Sequence, residues 1–261
     1  MKYINGTWYK KTETHMHVSP WSVCSHMDAR TAAEKYAKCG FEAVIVTNHY
    51  SRPYLDRYAL SEEEYREHYI AGYRTFRDIA KEYGIEVFLG AEVTLFAHYS
   101  EKYRREYPDE VVFENFADYL IYGVTEEFIR STPFLCDLTL PKLSEICHAH
   151  GAVLVQAHPY RTEQLHSLKD IKFLDGIEMN GNEDFPSGPH EADCLRLARE
   201  HGLIATCGGD THCPWTHLRN AMYIPAEIHD SVAFANYLKE VPCNLRLDLS
   251  LLGSNRLNPR L

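Results

Sequence analysis

The sequence predicts an α/β fold of the (β/α)-barrel kind, and three observations predict it. Short apolar, β-branched runs alternate with helical stretches along the 261 residues, the pattern of parallel strands joined by crossover helices. Histidines or carboxylates close run after run: Thr14-His15-Met16-His17, Thr47-Asn48-His49, Gly90-Ala91-Glu92, Ala157-His158-Pro159 and Gly209-Asp210-Thr211-His212. These residues fall at the C-terminal ends of the predicted strands, the asymmetry of a barrel with its site on that face. A doubly wound sheet would draw its site from fewer strands, at one switch point. No linker or low-complexity stretch interrupts the pattern, so residues 1–261 read as a single domain.

The first strand-like run ends in His15 and His17, which at i and i+2 share one face and bring two imidazoles into one space. Residues 18–28 form a loop carrying Cys24, His26 and Asp28. A helix over 29–39, with Ala32, Ala33, Tyr36 and Ala37 at helical spacing, stops at Gly40. Residues 41–47 read as a buried parallel strand leading to His49, and 50–60 as a loop. Ser61 begins a helix with three glutamates in its first turn, where carboxylates suit the dipole. Its stripe of Tyr65, Tyr69, Tyr73, Phe76 and Ala80 is core packing, and Gly84 stops it. A third strand over 85–94 carries Glu92 at its far end. Residues 95–117, tyrosine-rich and charged, form an excursion over one rim, and 118–124 a fourth strand. A helix over 139–150 admits Pro141 in its first turn. A fifth strand, 152–157, leads to His158; a short helix follows over 164–174, then a sixth strand, 176–180, ending in Asn180. A helix over 189–201 precedes a seventh strand, 203–208, which leads to Asp210 and His212. A short strand at 220–225 and a helix at 229–240 close the chain.

The net charge of −10 argues against a nucleic-acid groove, because phosphate backbones are held by clustered Lys and Arg. Eight cysteines are scattered without a C-x-x-C pair in a chain too long to need staples, which predicts reduced thiols and a cytoplasmic setting. Residues 1–11 contain no apolar signal-peptide core, and no run has the length of a membrane span. Oligomeric state is not legible.

His15, His17, His49, Glu92, His158, Asp210 and His212 are seven N/O donors, more than one tetrahedral ion uses. A mixed imidazole and carboxylate set suits Zn, Mn or Fe, and carboxylates bridge two ions. Two metals about 3.5–4 Å apart generate a nucleophile at neutral pH and clamp both oxygens of an in-line displacement. The donor set therefore predicts metal-assisted hydrolysis, with a phosphate ester as leading substrate.

Taken in order, the motifs from His15-Met16-His17 to Gly208-Gly209-Asp210-Thr211-His212 resemble the PHP (polymerase and histidinol phosphatase) family over roughly residues 13 to 225. The resemblance implies a distorted (β/α)7 barrel, two or three divalent metal ions, and hydrolysis of a small phosphorylated metabolite through a metal-bridged hydroxide. It implies that His15, His17, His49, Glu92, His158, Asp210 and His212 are metal ligands, with Asp210 also orienting the nucleophile. Histidinol-phosphate phosphatase and nuclease-like phosphodiesterase are alternatives within the family. A metal-binding domain that has lost catalysis is the alternative outside it. The sequence departs from the family in three places. Asn48 stands where Asp is common. Asp118 stands where many members have His, and is either a ligand or a strand-start aspartate. Of Cys24, His26 and Asp28 in the first loop, His26 is taken as the further ligand. Arg161, three residues past His158, is placed on the phosphate oxygens; Asn180 either binds substrate or caps its loop.

Overall fold

The computed structural model describes residues 1–96, 116–159, 168–180 and 191–240. The chain opens with a hairpin of β1 (Lys2–Ile4) and β2 (Thr7–Met16), turned at Asn5 and Gly6, both with positive φ. That is the dipeptide a two-residue hairpin favours. Helix α1 (Ala29–Lys38) starts where the Asp28 carboxylate accepts the Arg30 and Thr31 amides at 2.9 Å. Strands β3 (Ala43–Val46) and β4 (His49–Tyr50) follow, parted at Thr47-Asn48. The stretch 50–60, expected as a loop, holds helix α2 (Arg52–Tyr58), with Pro53 in its first turn. Helix α3 (Glu62–Lys81) begins with a reciprocal Ser61–Glu64 capping box and buries Tyr65, Tyr69, Phe76 and Ala80.

Strands β5 (Glu86–Leu89) and β6 (Ala91–Phe96) are parted at Gly90, and β7 (Phe116–Tyr122) comes next. Helices α4 (Glu126–Ser131) and α5 (Leu140–Ala149) flank a 3-10 turn, Leu135–Asp137. They lead to β8 (Val153–Gln156) and, after a 3-10 helix over Leu168–Phe173, to β9 (Gly176–Asn180). The described part of the helix expected over 164–174 is thus 3-10. Helix α6 (Glu191–His201), β10 (Ile204–Gly208), β11 (Met222–Pro225) and α7 (Ser231–Glu240) complete the described chain.

The strands form two sheets. In the first, β2 pairs parallel with β3 and antiparallel with β1 and β11, and β3 pairs parallel with β5. The second has the order β10-β9-β8-β7-β6-β4. The chain passes from one sheet to the other at both breaks, β3 to β4 and β5 to β6. A parallel bridge between Met16 and Thr211 ties the end of β2 to the segment after β10, with the His17 amide donating to the Thr211 carbonyl at 3.1 Å.

The expectation of parallel strands fails at β7, which runs antiparallel to both β6 and β8. A strand buried on both faces shows the same apolar run in either direction, so nothing in its composition encodes its sense. The reversal has a direct effect: the start of β7, with Asp118 opposite Thr94, lies at the rim where the neighbouring strands end. Along β7 the side chains alternate. Leu120 and Tyr122 join the cluster of Ile45, Val155, Ile177 and Met179, while Ala117, Tyr119 and Ile121 pack with Tyr65, Tyr69 and Leu143 of the helices. Helices α1 and α3 cover the first sheet through Ala32, Ala33, Tyr36 and Phe76 against Val44, Val46 and Val87. Cys24, Cys39, Cys136, Cys147, Cys194, Cys207 and Cys213 are free thiols. Among the described residues no helix is long and apolar enough to cross a membrane.

Candidate metal centre

The end of β2 supplies His15 and His17, both fully buried, with their Nε2 atoms 3.2 Å apart. As residues i and i+2 they share one face of the strand end, where the β2–β3 register shifts between Glu13 and Met16. Glu92, near the start of β6, stands at the middle of the imidazoles. Its Oε1 lies 3.2 Å from His15 Nε2 and 2.9 Å from His158 Nε2. Its Oε2 lies 3.2 Å from His17 Nε2 and 3.1 Å from His49 Nδ1. Asp210 Oδ1 closes the group, 3.3 Å from His15 Nε2 and 3.1 Å from His17 Nε2. The His17 ring stacks between His49 and His212, at centroid distances of 4.6 and 4.2 Å.

Three rings share one device. His15 Nδ1 donates to Glu178 Oε1 at 2.9 Å, His17 Nδ1 to Ser22 Oγ at 3.1 Å, and His212 Nδ1 to the Asp210 carbonyl at 2.9 Å. Each bond fixes the ring through Nδ1, so that Nε2 is the nitrogen left for ligation. Glu178 also accepts the His158 amide at 2.9 Å and the Asn180 side-chain amide at 3.3 Å, so one carboxylate braces groups from three segments. Glu13, fully buried, accepts the amides of Thr14 and His15 at 3.0 Å and of Gly209 at 2.8 Å. Two ligand-bearing turns are held in left-handed backbone, His158 at φ 25° and Asp210 at φ 46°. Gly208 is required by close approach: a Cβ there would fall 2.4 Å from His15 Cβ and 2.7 Å from Glu178 Oε1.

The electrostatics follow from burial and neighbours. Burial works against charge on His15, but Glu178, Glu92 and Asp210 outweigh it and hold the ring's pKa well above the usual value. His17 is raised too, its burial outweighed by bonds to Asp210 and Glu92. Burial would raise Glu92, yet the charges of His49 and His15 hold it well below the carboxylate range. Burial pushes His49 down to about 3 and His212 to about 4, with the charge of His17 adding to both. Burial raises Glu13 to about 7 and the Cys24 thiol to about 12.

Among the described residues, three overlapping groups each bring possible ligand atoms within 4.8 Å of one another: His15, His17, Glu92 and Asp210; His49, Glu92 and Asp118; and His17, Cys24, His49 and His212. The residues fit divalent cations. Glu92 Oε2 and His49 Nδ1 are buried 3.1 Å apart and make no hydrogen bond with each other, a contact that a cation between them would satisfy. Seven of the sequence-predicted ligands thus meet, joined by Asp118. His26 is in none of these sets: it is exposed, its ring stacked on Trp215, and from the first loop Cys24 joins one of them instead. Asp28 caps α1. Arg161 lies outside the described residues, as does most of the rim stretch 95–117. Sequence reasoning missed Glu178, although a carboxylate inside the apolar run Gly176-Ile177-Glu178-Met179 is itself a signal, since a buried charge needs a partner.

No family model matches the chain, and no curated protein sequence matches it. Solved structures resemble it in fold. A two-domain protein from Bacteroides vulgatus, described as containing a predicted PHP-like metal-dependent phosphoesterase, matches 90% of this chain at 15% identity and a TM-score of 0.57. The chain spans 64% of that protein's length. PsfC from Pseudomonas syringae matches with a TM-score of 0.55 at 16% identity over 87% of each chain. An amidohydrolase from Chromobacterium violaceum, described with bound sulfate and no metal, matches with a TM-score of 0.54 at 13% identity, over 87% of this chain and 96% of that one. At these identities the likeness is one of mixed α/β fold.

Proposed function

We propose that the chain is a metal-dependent hydrolase of phosphate esters, acting on a small phosphorylated molecule, with its strands closed into the distorted seven-stranded barrel of the PHP family. The observation that carries this reading is the convergence of four imidazoles on Glu92, with Asp210 and Asp118 beside them. The barrel is supported by the passage of the chain between sheets at both strand breaks and by the Met16–Thr211 bridge. The description of the Bacteroides protein supports the chemistry.

His15, His17, Glu92, Asp210, His49, Asp118, His158 and His212 would hold two or three divalent ions of the Zn, Mn or Fe kind. Such ions, when bound, lower the pKa of water and neutralise charge on phosphoryl oxygens. The chain's own residues do the rest. Glu178 and Ser22 fix the tautomers of His15 and His17, so their Nε2 atoms face the centre. Asp210, near both rings, is placed to orient an attacking water. His49, with 16% of its side chain exposed, marks the side on which substrate enters. Arg161 is assigned to the phosphate oxygens. The acidic balance of the chain favours a small molecule over a nucleic acid.

Elemental analysis, run in parallel with p-nitrophenyl phosphate turnover under Mn, Zn and Fe, tests the reading. Two or more ions per chain, with turnover lost in His15→Ala and Asp210→Ala, are expected. One ion or none, without turnover under any metal, would sink it.

A further inference from the structure

Among the described cysteines, Cys24 stands apart. Cys194 and Cys207 pack in one apolar cluster, and Cys136 and Cys147 in another. Cys39 is the exposed C-cap of α1. Cys24 instead sits partly exposed in the first loop, with its Sγ and nitrogens of His17, His49 and His212 all within 4.8 Å of one another. The loop is held there by built contacts. Ser22 Oγ accepts both His17 Nδ1 and the His49 amide, and Ser25 Oγ bonds the His17 and His212 carbonyls. Trp21 packs against Gly72 of α3, so closely that no Cβ fits at that glycine. The Tyr54 hydroxyl bonds the thiol, and the Tyr54 ring packs edge-on against His49.

The other two donor sets contain only nitrogen and oxygen. This one combines imidazoles with sulfur, the combination that suits zinc and its softer analogues over manganese or magnesium. We infer that Cys24 is a thiolate ligand, and that the position it forms with His17, His49 and His212 takes a thiophilic divalent cation of the zinc class. The inference rests on the metal-dependent reading above and divides its centre into two kinds: nitrogen–oxygen positions around Glu92, and a sulfur-bearing position on the open side. As the sulfur–metal bond forms, the thiol proton leaves to solvent and no oxidation state changes. His17 and His49 each belong to both kinds of set and join them.

The test is loading of the metal-free chain with Co2+ alone, then Cd2+ alone, followed in the near ultraviolet. A thiolate-to-metal charge-transfer band is expected in the natural chain and absent in Cys24→Ser. Alkylation of the natural chain, mapped by mass spectrometry, needs no variant: Zn2+ should protect Cys24 at least severalfold, and Mn2+ should not. A band that persists in Cys24→Ser, or alkylation of Cys24 unaffected by Zn2+, overturns the inference. A chain that takes up cobalt and turns over p-nitrophenyl phosphate without the band overturns this inference alone. A chain that takes up no cobalt overturns the hydrolase reading with it.

Discussion

Glu178 Oε1 lies 2.9 Å from His15 Nδ1, with both side chains fully buried and the second carboxylate oxygen held by the His158 amide. One carboxylate therefore sets the orientation of a ring on β2 and of a turn after β8. Glu178→Gln keeps the shape but loses the charge and opposes an amide group to at least one of the three donors. Metal affinity should fall about 10–100-fold, measured by competition with a chromogenic chelator, while circular dichroism stays unchanged. Unaltered affinity would remove Glu178 from the support of the centre.

Asp118 and His26 are separable by metal content. Asp118 is 2% exposed and grouped with His49 and Glu92, whereas His26 faces solvent against Trp215. Asp118→Ala should lower the metal content of the purified chain, and His26→Ala should leave it unchanged. The opposite pattern in elemental analysis would restore the first loop's histidine and discard Asp118.

Metal uptake should depend on pH in a defined direction. His15 and His17, raised above the usual value, keep their protons to higher pH than ordinary imidazoles and must lose them to bind. His49 and His212, lowered to about 3 and about 4, are neutral at neutral pH and release none. Affinity should therefore rise with pH, by up to about tenfold per pH unit for each proton released. Calorimetry in buffers of different ionisation enthalpy reads the release. In Cys24→Ser, which has no thiol proton to release, heats independent of buffer would mean that both rings are neutral beforehand.

Gly72→Ala places a methyl 2.5 Å from Trp21 Cγ. The helix-propensity gain, about 1 kcal/mol, is set against overpacking of about 1–3 kcal/mol. Because Trp21 shares its loop with Ser22 and Cys24, the variant should both melt lower and bind metal more weakly. Thermal scans with and without Zn2+ separate the two effects. A higher melting temperature would show that Trp21 yields without strain.

The motif histidines and carboxylates were legible because each closes an apolar run, and a strand end is where a fold can gather residues distant in sequence. Most helices were legible from their punctuation, such as Ser61 with Glu64 at the start of α3. Three features were not. Helix α2 is short and carries Pro53, so its pattern passes for a loop. The sense of β7 is absent from its composition, and with it the reason Asp118, near the start of that strand, reaches the rim where β6 and β8 end. Among Cys24, His26 and Asp28, the choice depends on how the loop folds back through Ser22 and Ser25, a matter of tertiary contacts rather than local pattern.

His158 and Asp210 sit in left-handed backbone that non-glycine residues occupy at a cost of about 1–3 kcal/mol each. That energy is stored at the two turns and is held in place by whatever engages their side chains. Relaxation of the turn at 158 in the metal-free chain would part the amide of His158 from Glu178. Deuterium would then enter the peptide groups around 158 and 210 well ahead of those in β8 and β10, so that the centre's occupancy is written in the exchange pattern of its own backbone.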